Sequence, residues 1–249
     1  MEIAIGVLIG LAIGATGVGG GTLTAPALIL LVGYTPRGAV ATALVFSAAV
    51  KVFASGTYLL RGNVDFRVLG YLICGGAPGA LLGAFALERL RIARANEWIL
   101  CAIGIVVMIS AVGNIVNFRR NQRASISRPY LLPLFCFPIG LESGFSSSGA
   151  GALGTTLLFR VTALSPAEIV GTDLVFGLTI SAIAGGVHAY SGACDWHGLA
   201  QLIPAGILGS IIGVHICSIL SAKTLRKVIM IFAAGIGFSL LVRGLEGIL

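Results

Sequence analysis

An apolar segment broken by glycines occurs twice in this chain. Residues 3–32 are almost wholly hydrophobic, yet the run is interrupted by Gly17-Val18-Gly19-Gly20-Gly21. Shifted by 130 positions, the pattern returns without a gap. Gly10, Gly14, Gly19 and Gly21 fall on Gly140, Gly144, Gly149 and Gly151. Val40-x-Thr42-x-Leu44-Val45-Phe46 falls on Val170-x-Thr172-x-Leu174-Val175-Phe176, and Gly62-x-x-Asp65 on Gly192-x-x-Asp195. Paired broken membrane segments in a duplicated chain are the pattern expected of a secondary transporter, whose site forms where the halves meet.

Composition fixes the class. With 57% hydrophobic and 10% charged residues, the chain carries less than half the roughly 25% charge of a globular protein. Its apolar runs match the roughly 20 residues that a bilayer core demands. The net charge of +7 does not signal nucleic acid, because the basic residues cluster in short connections and no aromatic-basic platform accompanies them. The five cysteines show no Cys-x-x-Cys pair, and four lie inside apolar runs, so buried structural thiols are expected rather than a metal or redox centre. No basic n-region or cleavage site marks the start of the chain, and the first segment is expected to stay in place. No cofactor, catalytic constellation or metal-ligand spacing is read.

The expected fold is an all-α polytopic membrane protein of two homologous four-segment repeats, residues 1–117 and 131–249, joined by a basic linker at 118–130. The segments of the first repeat are a broken stretch at 3–33 and helices at 38–60, 67–87 and 97–117. The second repeats them at 131–163, 166–190, 197–219 and 225–243. Each arm of a broken stretch is too short to cross a roughly 30 Å core alone. The stretch is therefore either one interrupted crossing, giving parallel repeats, or a re-entrant hairpin, giving inverted ones. With hairpins, the face bearing Arg61, Arg67, the linker arginines, Arg160 and Lys223–Lys227 holds about twice the basic residues of the other. This favours inverted repeats, with the linker cytoplasmic and both termini outside.

Several residues are candidates for the site. The turn Gly19, Gly20, Gly21 with Thr22, and its counterpart Ser146, Ser147, Ser148 with Gly149, offer free backbone N–H groups, a helix N-terminus and hydroxyls suited to a small anion. A packing turn with hydroxyls bonded to their own helix is the plainer alternative. Lys51 lies near the centre of a membrane helix, where a charge costs at least about 2.5–3.5 kcal/mol and marks function by default. It could meet a substrate anion or pair with a carboxylate. Glu142 and Asp173, which replace Ala12 and Ala43 of the first repeat, could neutralise it or carry a coupling proton. Thr42 and Thr172 are repeat-related hydroxyls that could touch substrate or bond back to their helices. Asp65 and Asp195 read as turn or capping residues.

These motifs resemble a known family. Gly17-x-Gly19-Gly20-Gly21-x-x-x-x-Pro26-x-Leu28, Ala41-Thr42 and Gly62-x-Val64-Asp65 are similar to the TauE/SafE sulfite exporters, also called toluene-sulfonate uptake permeases. The resemblance covers nearly the whole chain. It implies a multi-pass carrier of the bacterial inner membrane for sulfite, sulfoacetate or other organosulfonates. The carried-over positions are Gly19, Gly20, Gly21, Pro26 and Thr42, with Gly149, Gly151 and Thr172. The second half departs from the pattern at Ala150, Thr156 and Asp173. The expected partners are an anionic solute and the lipid bilayer, with a homo-oligomer left open. A channel-like anion conductor and a carrier of a non-sulfur anion are the alternatives.

Overall fold

The computed structural model describes residues 2–16, 22–89, 95–119, 129–216 and 222–248, and the described elements are helices. They are α1 (Glu2–Thr16), α2 (Thr24–Ala27) continuing into a π-helical turn (Leu28–Val32), α3 (Pro36–Leu60), α4 (Phe66–Arg89) and α5 (Ala95–Arg119). A 3-10 turn (Pro129–Leu131) leads to α6 (Leu132–Ser146), α7 (Gly149–Val161), α8 (Pro166–Tyr190), α9 (Trp196–Ile216) and α10 (Ala222–Ile248). Among the described residues, α3, α4, α8 and α9 are long and apolar enough to cross a membrane.

Local chemistry sets these boundaries. Helix α3 begins two residues before the expected position because Thr35 caps it, accepting the Gly38 N–H at 3.3 Å, with Pro36 in the first turn. Helix α8 starts 130 residues later with a complete capping box: Ser165 and Glu168 each accept the other's backbone N–H, at 3.3 and 2.8 Å. Both helices end at a left-handed glycine, Gly62 (φ 69°) and Gly192 (φ 74°), where a side chain would be strained. Asp65 and Asp195 then cap the next helices, each taking two backbone N–H groups.

Helix directions follow from the contacts. Gly6, Gly10 and Gly14 of α1 lie against Leu202, Gly206 and Ser210 of α9, so the two run parallel. Gly75, Gly79 and Gly83 of α4 lie against Pro133, Phe137 and Leu141 of α6, again parallel. A Cβ at Gly10 would enter the backbone of Gly206, and one at Gly140 would enter that of Gly76. These are the same contact displaced by 130 residues. Small residues thus let backbones touch where dispersion, not water, holds helices together. Helix α3 crosses α8 antiparallel, with Ser47 beside Ser181 and Tyr58 beside Gly171. It runs parallel to α9, since Phe46 and Val50 meet Gly206 while Phe53–Thr57 flank Ser210–His215. Helices α5 and α10 pair antiparallel, Cys101 by Gly244 and Val107 by Gly237.

Helices α1, α3 and α9 therefore share one direction, and α4, α6 and α8 the other. Because α1 and α3 run the same way, Thr24–Val32 must carry the chain back between them, and α7 does so between α6 and α8. Helix α1 has 15 residues and α7 has 13, about 22 and 20 Å. Each arm falls short of a bilayer core of about 30 Å.

Helices α3 and α8 form the centre. Their most apolar stretches are 67% and 61% buried, against 44% for α4 and α9. Phe46 of α3 packs on Gly206 and Phe176 of α8 on Gly76, a further pair related by 130 residues. The outer surface is apolar, with exposed Tyr190 and Trp196 at one end and Phe66 and Tyr130 at the other, as at membrane interfaces.

The seams predict a sharp contrast between glycines. Gly140→Val should lower stability by about 3 kcal/mol or prevent folding, because the added atoms overlap the Gly76 backbone. Gly70→Ala, where a Cβ meets nothing within 4 Å, should leave the thermal midpoint in detergent unchanged or raised. Equal midpoints for the two variants would refute the seam.

Candidate functional site: a buried lysine and aspartate at the α3–α8 crossing

The centre of the crossing is polar. The neighbouring pairs Ser47–Ser181 and Lys51–Gly177 bracket Ala49 and Thr179, which are themselves 130 positions apart. Lys51 is 2% exposed and Asp173 1% exposed. Asp173, one turn before Gly177, is the charged group that acts electrostatically on Lys51. The Ser47 and Ser181 hydroxyls lie 3.4 Å apart in the same layer.

Two glycines leave room for these charges. A Cβ at Gly177 would stand 2.5 Å from Lys51 Nζ, and one at Gly154 of α7 would collide with Asp173 Oδ1. The return arm of the second hairpin thus closes over the carboxylate. A buried ammonium is costly unless an opposite charge accompanies it, and removing one partner strands the other at about 3–5 kcal/mol. The arrangement is one basic and one acidic side chain, both buried, with the Ser47 and Ser181 hydroxyls in the same layer.

The other expected residues lie elsewhere. Thr42 Oγ1 accepts the Asp195 N–H at 3.2 Å, and Thr172 Oγ1 accepts the Asp65 N–H at 3.0 Å. Each threonine fastens the start of a helix in the other half of the chain. Ser146 donates to Glu142 Oε1 and accepts the Ser148 N–H at 3.2 Å, while Ser148 donates to the Ser146 carbonyl at 3.2 Å. Ser147 takes a left-handed φ of 66° and ends α6, and Gly149 opens α7. These serines are buried and engaged with their own turn. Glu142 sits at that turn, one helical turn before Ser146, and its Oε2 is buried without a hydrogen bond among the described residues. Thr22, 3% exposed, likewise has a hydroxyl with no hydrogen-bond partner among the described residues. Gly19, Gly20 and Gly21 lie outside the described residues.

Two polar clusters escape sequence reasoning. Arg37, Glu88 and His188 meet at one end of the bundle, and Tyr34 donates to Asp195 there as well. Their members stand 51 to 161 residues apart, and no local pattern joins them. The Tyr34 hydrogen bond holds the Asp195 carboxyl below the usual carboxylate range, and burial together with that bond pushes the Tyr34 phenol up. Burial pushes the Cys194 thiol up to about 11, which leaves it protonated and inert at neutral pH. Among the described residues no group of three or more His, Cys, Asp or Glu is placed to hold a metal ion.

Apolar crossing helices, four of them among the described residues long enough to cross a membrane, fit a multi-pass membrane protein. The family model described as "Sulfite exporter TauE/SafE" matches residues 2–240, and the chain belongs to that family. It is 30% identical over 235 residues to the probable membrane transporter protein YjnA of Bacillus subtilis, covering 90% of this chain and 92% of the relative. The probable membrane transporter protein YtnM of the same organism is 31% identical over 218 residues, 83% of this chain and 70% of its own. A probable membrane transporter protein of Xylella fastidiosa is 25% identical over 228 residues, 90% of this chain and 86% of the relative. No solved structure matches.

The Tyr34–Asp195 bond ties the first hairpin's return arm to the start of α9, and its pH dependence has two limbs. Asp195 is depressed, so its contribution is present above the unfolded carboxyl value of about 4 and fades as acid protonates the folded group. Tyr34 is raised, so its contribution holds below about pH 10 and is lost as the pH rises further. Tyr34→Phe should lower the thermal midpoint by roughly 2–4 °C at pH 7 and flatten the alkaline limb. A variant with the wild-type midpoint across the range would show that the bond contributes nothing.

Proposed function

We propose that this transporter moves a small sulfur-containing oxyanion, such as sulfite, sulfoacetate or another organosulfonate, by alternating access with a coupled proton. The observation that carries this reading is the Lys51–Asp173 layer at the α3–α8 crossing. Lys51 would hold the anion, and Asp173, released from Lys51 by that anion, would take the proton. The loaded site then carries one negative charge fewer than anion binding alone would give it, which eases its passage through a low-dielectric layer. Glu142 at the second hairpin's turn is a second proton carrier in this scheme. The Ser181 hydroxyl, in the same layer, would supply a donor to the oxyanion.

The halves, residues 1–117 and 131–249, act in this proposal as inverted repeats about the 118–130 linker, each with a re-entrant first segment. The shared direction of α1 and α3 and the offset of 130 between matching contacts support this. So does charge. Of 16 Lys and Arg residues, ten attach to the end reached by the linker (Arg61, Arg67, Arg119, Arg120, Arg123, Arg128, Arg160, Lys223, Arg226 and Lys227). Five attach to the end bearing the termini, and Lys51 is buried between. The linker end is then cytoplasmic, in a bacterial inner membrane.

In proteoliposomes, Lys51→Ala should cut sulfite flux at least about tenfold while the protein stays monodisperse, and Asp173→Asn should abolish the response of residual flux to an imposed pH gradient. Full flux in Lys51→Ala would remove the lysine from the mechanism. For orientation, a cysteine placed at Ser125 in a cysteine-free background should react with impermeant maleimide only in inverted vesicles. Labelling in intact cells would reverse the proposed topology.

A further inference from the structure

His188, in the last turn of α8, is fully buried, and both of its ring nitrogens have partners. Nδ1 lies 2.7 Å from Glu88 Oε1, and Nε2 lies 3.3 Å from the carbonyl of Gly144. A carbonyl only accepts hydrogen bonds. So does a carboxylate ion-paired with a guanidinium, as Glu88 is with Arg37. A neutral imidazole has one donor and one acceptor, so it would turn a lone pair toward one of these oxygens. Only the imidazolium donates to both.

We infer that His188 is a proton-binding site whose occupied form ties the α6 arm of the second hairpin to α4 and α8. The bond at risk is the one to Gly144. When the proton leaves, the remaining N–H stays with the carboxylate and the Gly144 carbonyl loses its donor. Gly144 stands two residues before the Ser146–Ser148 turn, so the charge on one ring sets how firmly the hairpin's tip is held. The charged groups facing the ring are Glu88 from α4 and Arg37 from α3. On α6, the acid Glu142 is bonded to Ser146. Arg160 of α7 lies at the far end of the bundle, and Asp173 of α8 is 15 residues away, about 22 Å along the helix. Asp195, at the same end, is bonded to Tyr34. The site stands apart from Lys51 and Asp173 and does not depend on which solute is carried.

Two readouts on the purified protein in detergent test it. The chain has three histidines, so imidazole 15N shifts can be assigned with His188→Gln. His188 should carry protons on both nitrogens at acid pH and lose one as the pH rises. Over the same transition, amide exchange at residues 140–148, corrected for its intrinsic pH dependence, should quicken about tenfold, the loss of one charge-assisted hydrogen bond. His188→Gln should abolish that step. Glu88→Gln, which leaves the ring in place but removes its counter-charge, should move both transitions to lower pH. A His188 ring that stays neutral throughout the acid range, exchange at 140–148 that ignores the ring's titration, or transitions unmoved in Glu88→Gln would overturn the inference.

Discussion

Backbone contact between helices of opposite halves is the constraint on which this structure rests. Each half gives its first helix to the other: α1 lies on α9, and α6 lies on α4. In lipid no hydrophobic force drives such pairing, so the helices must come close enough for dispersion to act over their whole length. Gly10 on Gly206 and Gly140 on Gly76 supply that closeness, and nothing larger fits. The exchange leaves neither half whole without the other. It also explains why short arms can stop inside the bundle. Ser146–Ser148, at the end of α6, are buried in protein, where non-helical backbone is tolerated.

The same symmetry limits where charge can be placed. The α3–α8 crossing brings positions 130 apart toward each other around Ala49 and Thr179. A lysine in both copies would place two buried ammoniums about one helical turn apart, with a repulsion of several kcal/mol at low dielectric. Ser181 stands where the second lysine would be. Asp173, whose counterpart is Ala43, then acts electrostatically on the single lysine instead of facing a copy of itself. In the proposed repeat, Lys51 and Asp173 therefore stand where the two halves differ in sequence.

Much of this was legible in the sequence because it is written in local chemistry. Helix 166–190 matches its expected limits, since Ser165, Pro166, Glu168 and Gly192 mark both ends within a few residues. The glycine strips announced close packing, and the 130-residue offset tells which contact repeats which. Lys51 and Asp173 stood out because charge is rare in apolar helices. The roles of Thr42 and Thr172 were not legible, because the Asp195 and Asp65 amides they hold lie 153 and 107 residues away. Nor was the link of Arg37, Glu88 and His188, which needs three helix ends brought together. Single charges near helix ends look interfacial in a sequence, and only packing shows which of them are buried.

That cluster makes the two ends of the bundle unlike. Positions related to Arg37, Glu88 and His188 by the offset are Ala167, Ser218 and Tyr58, none of which is charged. The end bearing the termini is therefore fastened by an ionic network joining both halves, and the related set at the linker end offers no equivalent. If the two hairpins exchange roles during transport, the motions at the two ends cannot cost the same. Opening the termini end must separate or reorganise the contacts of Glu88 with Arg37 and with the buried His188. Opening the linker end parts side chains that carry none of those charges. Under the proposed alternating access, three side chains, rather than the fold, would set which side stays closed.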